Sequence, residues 1–196
     1  MSRPRPYRMR SRADAAERTA RRIMDAAIAL WREKGYDEFT LQDVARRADV
    51  SLSTVMRRFG SKEGLAEAVL TSDHVGTQRS RDAVSPGDVA GAVRMIVDDY
   101  ESNGDAVIRM LALEDRIDIV RRVVEAGRMA HEEWVSRVFA PSLATAPGRR
   151  RRQTLQLVVA TDVYTWKLLR RDRRLEVGEV RAVMLAMCRA ITEGKA

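Results

Sequence analysis

The sequence holds one cysteine, Cys188, and only two histidines, and aromatic residues make up 5% of it. One thiol cannot form an intrachain disulfide, and no cysteine-based metal site can assemble from it. Its apolar neighbours Ala186, Met187, Ala190 and Ile191 predict a buried, inert thiol. No hydrophobic run approaches the roughly 20 residues of a membrane span. The basic N-terminus is not followed by the apolar stretch of a secretory signal, so the expectation is a cytoplasmic protein. A glycine-rich phosphate loop, a His-Glu-x-x-His pair, a paired His/carboxylate ligand set and a plausible thiol nucleophile are also missing. Neither catalysis nor a cofactor is therefore expected.

Apolar residues account for 45% of the chain and charged residues for 33%, enough for a packed core and too apolar for global disorder. Arginine far outnumbers lysine, and the net charge is +8. Residues 1–70 carry 15 Lys and Arg against 10 Asp and Glu; the rest carries 21 against 18. The shorter part thus holds more than half of the excess, as suits a polyanion-binding end.

Apolar spacing of three and four residues dominates and strand-like alternation is nearly absent, so the fold class is all-α. The pattern predicts about nine helices, over 14–34, 41–48, 52–58, 62–82, 86–103, 105–116, 118–140, 149–172 and 177–193. Ser85-Pro86-Gly87, Asn103-Gly104 and residues 141–148 read as turns. Residues 1–13 read as a basic arm, with Arg3, Arg5, Arg8, Arg10 and Arg12, no acid and two prolines that discourage helix. Such an arm suits either a DNA groove or a solvated tail. A first domain is expected over 14–70 and a second over 71–196.

The first domain has the layout of a helix-turn-helix. Ile23, Ala26, Ala27, Leu30 and Trp31 form an apolar stripe on the first helix. Thr40 is placed to cap the second helix and Ser51 the third. Asp49 between them is the residue best able to take a left-handed backbone. On the third helix Val55 and Phe59 face inward, which turns Ser53, Thr54, Met56 and Arg57 outward. Two short capped helices with such a face suit DNA reading, although many helical domains share the pattern.

Residues 22–70, RIMDAAIALWREKGYDEFTLQDVARRADVSLSTVMRRFGSKEGLAEAVL, resemble the N-terminal domain of the TetR (tetracycline repressor) family. The "AA" and "GY" of the first helix, the Thr40 cap, "VARRADVS", "STV" and "GSKEGL" agree in order and spacing. The resemblance implies a three-helix DNA-binding domain, a variable helical regulatory domain, a homodimer, a palindromic duplex operator and a small-molecule effector. DNA contacts are expected at Thr40, Ser51, Leu52, Ser53, Thr54, Met56, Arg57, Arg58 and Lys62: at Thr40 and Ser51 because helix N-termini attract phosphate, plain capping being the other reading, and at Lys62 because it resembles the family's phosphate-contacting lysine. Asp49 stands where the family usually has Gly, Leu52 where Lys is common, Ser53 where Gly is common and Met56 where Tyr is usual. Arg57 and Arg58 are candidates to compensate for the missing Tyr, and Leu52 and Met56 are alternative candidates to touch a thymine methyl.

In the second domain, Tyr100, Met110, His131, Trp134, Asp162 and Trp166 are the candidate effector-binding residues, being few polar groups among apolar walls. Four of them also have a structural reading: core for Trp134 and Trp166, core or surface for His131, helix surface for Asp162. Leu155, Val159, Val163 and Trp166 line one late helix, and Val180, Val183, Met184, Met187 and Ile191 the other. These faces are expected to pair with a second copy in a four-helix bundle.

Overall fold

The computed structural model of the chain describes residues 6–71 and 81–194, with side chains from residue 14 onward. Those residues contain helices and turns and no strand. The chain divides into two compact units, Met1–Val75 and Gly76–Ala196.

Helix α1 runs Pro6–Glu33 and is followed by a 3-10 turn at Tyr36–Glu38, α2 (Leu41–Arg47), α3 (Leu52–Phe59) and α4 (Lys62–Thr71). The expected arm is therefore helical from residue 6. Proline at the first helical position loses no hydrogen bond, and no Gly or Pro interrupts the residues that follow. Residues 1–5, and the expected continuation of α4 through 72–80, lie outside the described residues. The core of this unit joins Ile23, Ala27 and Leu30 of α1 to Val44 and Ala45 of α2, Val55 of α3 and Leu65 of α4. Val55 is fully buried, a gain of about 1.5–3 kcal/mol over an exposed side chain.

The second unit contains α5 (Val89–Leu111), α6 (Asp118–Val138), α7 (Pro147–Ala160), α8 (Val163–Lys167), a π-helical turn at Leu168–Asp172 and α9 (Val177–Thr192). Helix α5 packs on α6, α8 and α9, and α7 packs on α6 and α9. Their core gathers Ile96, Val97, Trp134, Phe139, Leu157, Trp166, Met184 and Cys188. Burial pushes the Cys188 thiol up to about 12, the inert thiol expected.

Two expected boundaries move. Asn103-Gly104 is no turn, because α5 passes straight through it. Gly104 is buried, and a Cβ there would lie 2.4 Å from the Trp166 ring. The glycine serves close packing rather than a change of direction. Conversely, the helix expected over 149–172 breaks after Ala160. Asp162 starts a new helix there by accepting a 2.8 Å hydrogen bond from the Tyr164 N–H.

The late-helix faces also divide. Val163, Trp166, Val180, Met184 and Ile191 are buried within their own chain. Leu155, Val159, Val183 and Met187 are exposed. Of the two stripes expected to meet a second copy, only these four residues are left uncovered.

Candidate nucleic-acid interface

Thr40 and Asp43 form a reciprocal box at the start of α2. Thr40 Oγ1 accepts from the Asp43 N–H at 3.2 Å, and the Asp43 carboxylate accepts from the Thr40 N–H at 2.8 Å. The Thr40 N–H and hydroxyl hold the Asp43 carboxyl at about 2. Lys62 closes the preceding segment from inside. Its ammonium donates to the Tyr36 and Phe39 carbonyls and lies 4.1 Å from the Phe39 ring centroid. The Lys62 ammonium is thus turned inward, and a phosphate contact requires it to leave those carbonyls.

The turn between α2 and α3 is a Schellman motif. The Val50 N–H reaches the Ala45 carbonyl at 3.0 Å, the Asp49 N–H reaches Arg46 at 3.3 Å, and Asp49 has φ 51°. The expected left-handed residue is therefore the one observed. Sequence reasoning missed Arg22, whose guanidinium donates to the Ala48 and Asp49 carbonyls from α1. Only its place just ahead of the Ile23 stripe hinted at that role. A bidentate Arg47–Glu33 pair, at 2.7 and 2.6 Å, ties the ends of α2 and α1 together.

Ser51 caps α3, accepting from the Thr54 N–H at 3.2 Å, and its hydroxyl lies 2.9 Å from those of Ser53 and Thr54. With Val55 inward, the helical period aims Ser53 and Arg57 directly away from the core, with Met56 on one flank and Thr54 and Arg58 on the other. Ser53, Met56, Arg57 and Arg58 are exposed, Thr54 is half-buried, and Leu52 packs on the core. Arg21, Arg22, Arg46 and Arg47 are all ion-paired. Arg57 and Arg58 have no acidic partner among the described residues. A hydroxyl-rich helix start followed by unpaired guanidinium groups is suited to phosphate and base edges.

Residues 23–69 match the profile of the bacterial regulatory proteins of the tetR family. An HTH-type transcriptional repressor of Mycobacterium tuberculosis is 32% identical over 153 residues, covering 67% of this chain and 79% of that protein. The chain belongs to the TetR family of transcriptional regulators. The HTH-type regulator YvkB of Bacillus subtilis is 45% identical over 53 residues, 27% of this chain and 28% of its own length. The fold is similar to that of a TetR-family regulator from Mesorhizobium loti, with TM-score 0.67 and 18% identity over 91% of this chain and 97% of that one.

In this TetR-family chain, five of the six expected effector-binding residues meet around the break between α7 and α8. Tyr100 Oη donates at 3.1 Å to the Thr161 carbonyl, which the break releases from its helix. The Thr161 hydroxyl lies 3.1 Å from His131 Nε2, and His131 stacks on Trp134 with centroids 5.7 Å apart. Tyr100 packs on Trp166, and the indole N–H of Trp166 donates to Glu101 at 2.7 Å. Asp162 caps α8, and burial raises its carboxyl. Met110 is half-buried and outside these contacts. Burial, aided by the charge of Arg81, pushes the His131 imidazole down to about 4. Among the described residues His131 Nδ1 has no hydrogen-bond partner. The aromatics fill the core, whereas a surface cleft of about 360 Å³ is lined by Glu132, Ser136, Arg150, Arg151, Thr154 and Leu155 among others, and by none of the six.

Proposed function

We propose that the chain is a homodimeric, cytoplasmic repressor that reads a palindromic duplex operator through α3 and is released by a small molecule. The exposed, unpaired Arg57 beside Ser53 and Met56 carries the reading. One eight-residue helix spans too few base pairs for specificity, and two copies in successive major grooves stand about 34 Å apart. Leu155 and Val159 on α7 and Val183 and Met187 on α9 supply an exposed apolar face for the second copy. Repression follows the name of the mycobacterial relative. The orphan nitrogen of buried His131 supports an effector site at the α7–α8 break, with Thr40, Ser51 and the basic N-terminal segment on phosphates.

An effector shifts such a regulator only by binding its DNA-free state more tightly. The closed packing of Tyr100 and Trp166 favours a second reading, a DNA-binding regulator or activator with no small-molecule ligand. Selection from a random duplex pool with the full-length protein tests the DNA claim. A symmetric consensus with half-sites about one helical turn apart is expected. No enrichment would remove the function, and an asymmetric site would remove the dimer. A small-molecule library screened for release of that consensus then separates the two readings.

A further inference from the structure

We propose that Met56 is a specificity-determining residue that reads the 5-methyl group of a thymine; this rests on the DNA-binding reading above. Four residues of α3 carry large apolar side chains. Val55 is buried in the core of its unit, and Leu52 and Phe59 pack against that core. Met56 alone of the four stands outside the cluster, with half of its surface exposed. Among the residues of the first unit whose side chains are described, 14–71, no other large hydrophobic side chain is exposed. Scattered exposed apolar residues are ordinary on a protein surface. This one flanks the helix face that presents Ser53 and the unpaired Arg57.

The base edges of the major groove offer hydrogen-bond donors and acceptors and one apolar group, the thymine methyl. A methionine suits it, since an unbranched thioether with three rotatable bonds adapts its reach to an apolar target. Leu52, the alternative, is committed to the core. Thr54 is half-buried, with its hydroxyl against Ser51. Arg57, one residue on, is left to polar acceptors beside the thymine.

The test begins with the consensus that full-length protein selects from a random duplex pool. Each thymine in it is replaced singly by deoxyuridine, which removes the methyl group alone. At one thymine per half-site the replacement weakens the wild type roughly three- to five-fold, the effect of one buried methyl. Met56→Ala binds the thymine and uracil duplexes equally, while Arg57→Ala keeps their ratio. Indifference of the wild type to every replacement overturns the proposal, as does discrimination that survives in Met56→Ala. A pool that yields no consensus, with the protein folded by circular dichroism, overturns the DNA-binding reading and this proposal with it.

Discussion

Arg22 on α1 donates a 3.2 Å hydrogen bond to the carbonyl of Asp49, the left-handed residue between α2 and α3. The same guanidinium serves the Ala48 carbonyl. The first helix thereby holds the turn that sets the angle of the helix carrying Arg57. An arginine here also stabilises a position where the family's usual glycine would need no help.

Replacing Asp49 tests the turn. Asp49→Val forces a β-branched residue into the left-handed region and is expected to cost about 1–2 kcal/mol of stability. Asp49→Gly, free of that strain, is expected to show no such loss. Urea unfolding of both variants is the measurement; an Asp49→Val variant as stable as the wild type would place the strain elsewhere.

Gly104→Ala tests the packing of α5 on Trp166. The added methyl falls 2.4 Å from a fixed indole ring, and overpacking of this kind costs about 1–3 kcal/mol. An unchanged urea midpoint would show that the indole has room to move.

These two glycine and aspartate positions show what was legible. Caps and left-handed turns are local, so Thr40, Ser51 and Asp49 announced themselves through their own chemistry and that of their neighbours. Gly104 was misread because its reason lies on α8, far along the chain. Asp162 carried a readable signal, a capping side chain ahead of an apolar run, but the helical periodicity on both sides concealed the break. Lys62 resembles a phosphate ligand in sequence, and only the tertiary fold brings the Tyr36 and Phe39 carbonyls to its ammonium. Arg22 was missed for the same reason.

Acid sensitivity follows from His131. Its folded-state value of about 4 lies below the ordinary 6.5, so the unfolded chain takes up its proton first as the pH falls. The stability associated with neutral His131 is complete above pH 6.5 and is lost progressively down to pH 4, about 3 kcal/mol in all. His131→Gln, which cannot titrate, should lose less stability than the wild type between pH 7 and pH 5. Parallel losses in urea titrations at the two pH values would refute the assignment.

The proposed dimer face makes a sharper demand. Val183→Asp and Met187→Asp each place an unpaired charge on it, costing several kcal/mol if that face is buried between copies. Sedimentation equilibrium should show a shift from dimer to monomer, with α3 untouched. Variants that remain dimeric would move the interface to another face, and a monomeric wild type would end the two-groove mechanism.

Base reading by the exposed face of α3 is put to the test by Arg57→Ala, in gel shifts against the selected consensus and a scrambled duplex. Loss of a bidentate base contact costs about 1–3 kcal/mol. Binding to the consensus is expected to weaken roughly ten- to hundred-fold, with little change on scrambled DNA. Equal losses on both duplexes would make Arg57 a backbone contact and leave α3 without its principal reading residue.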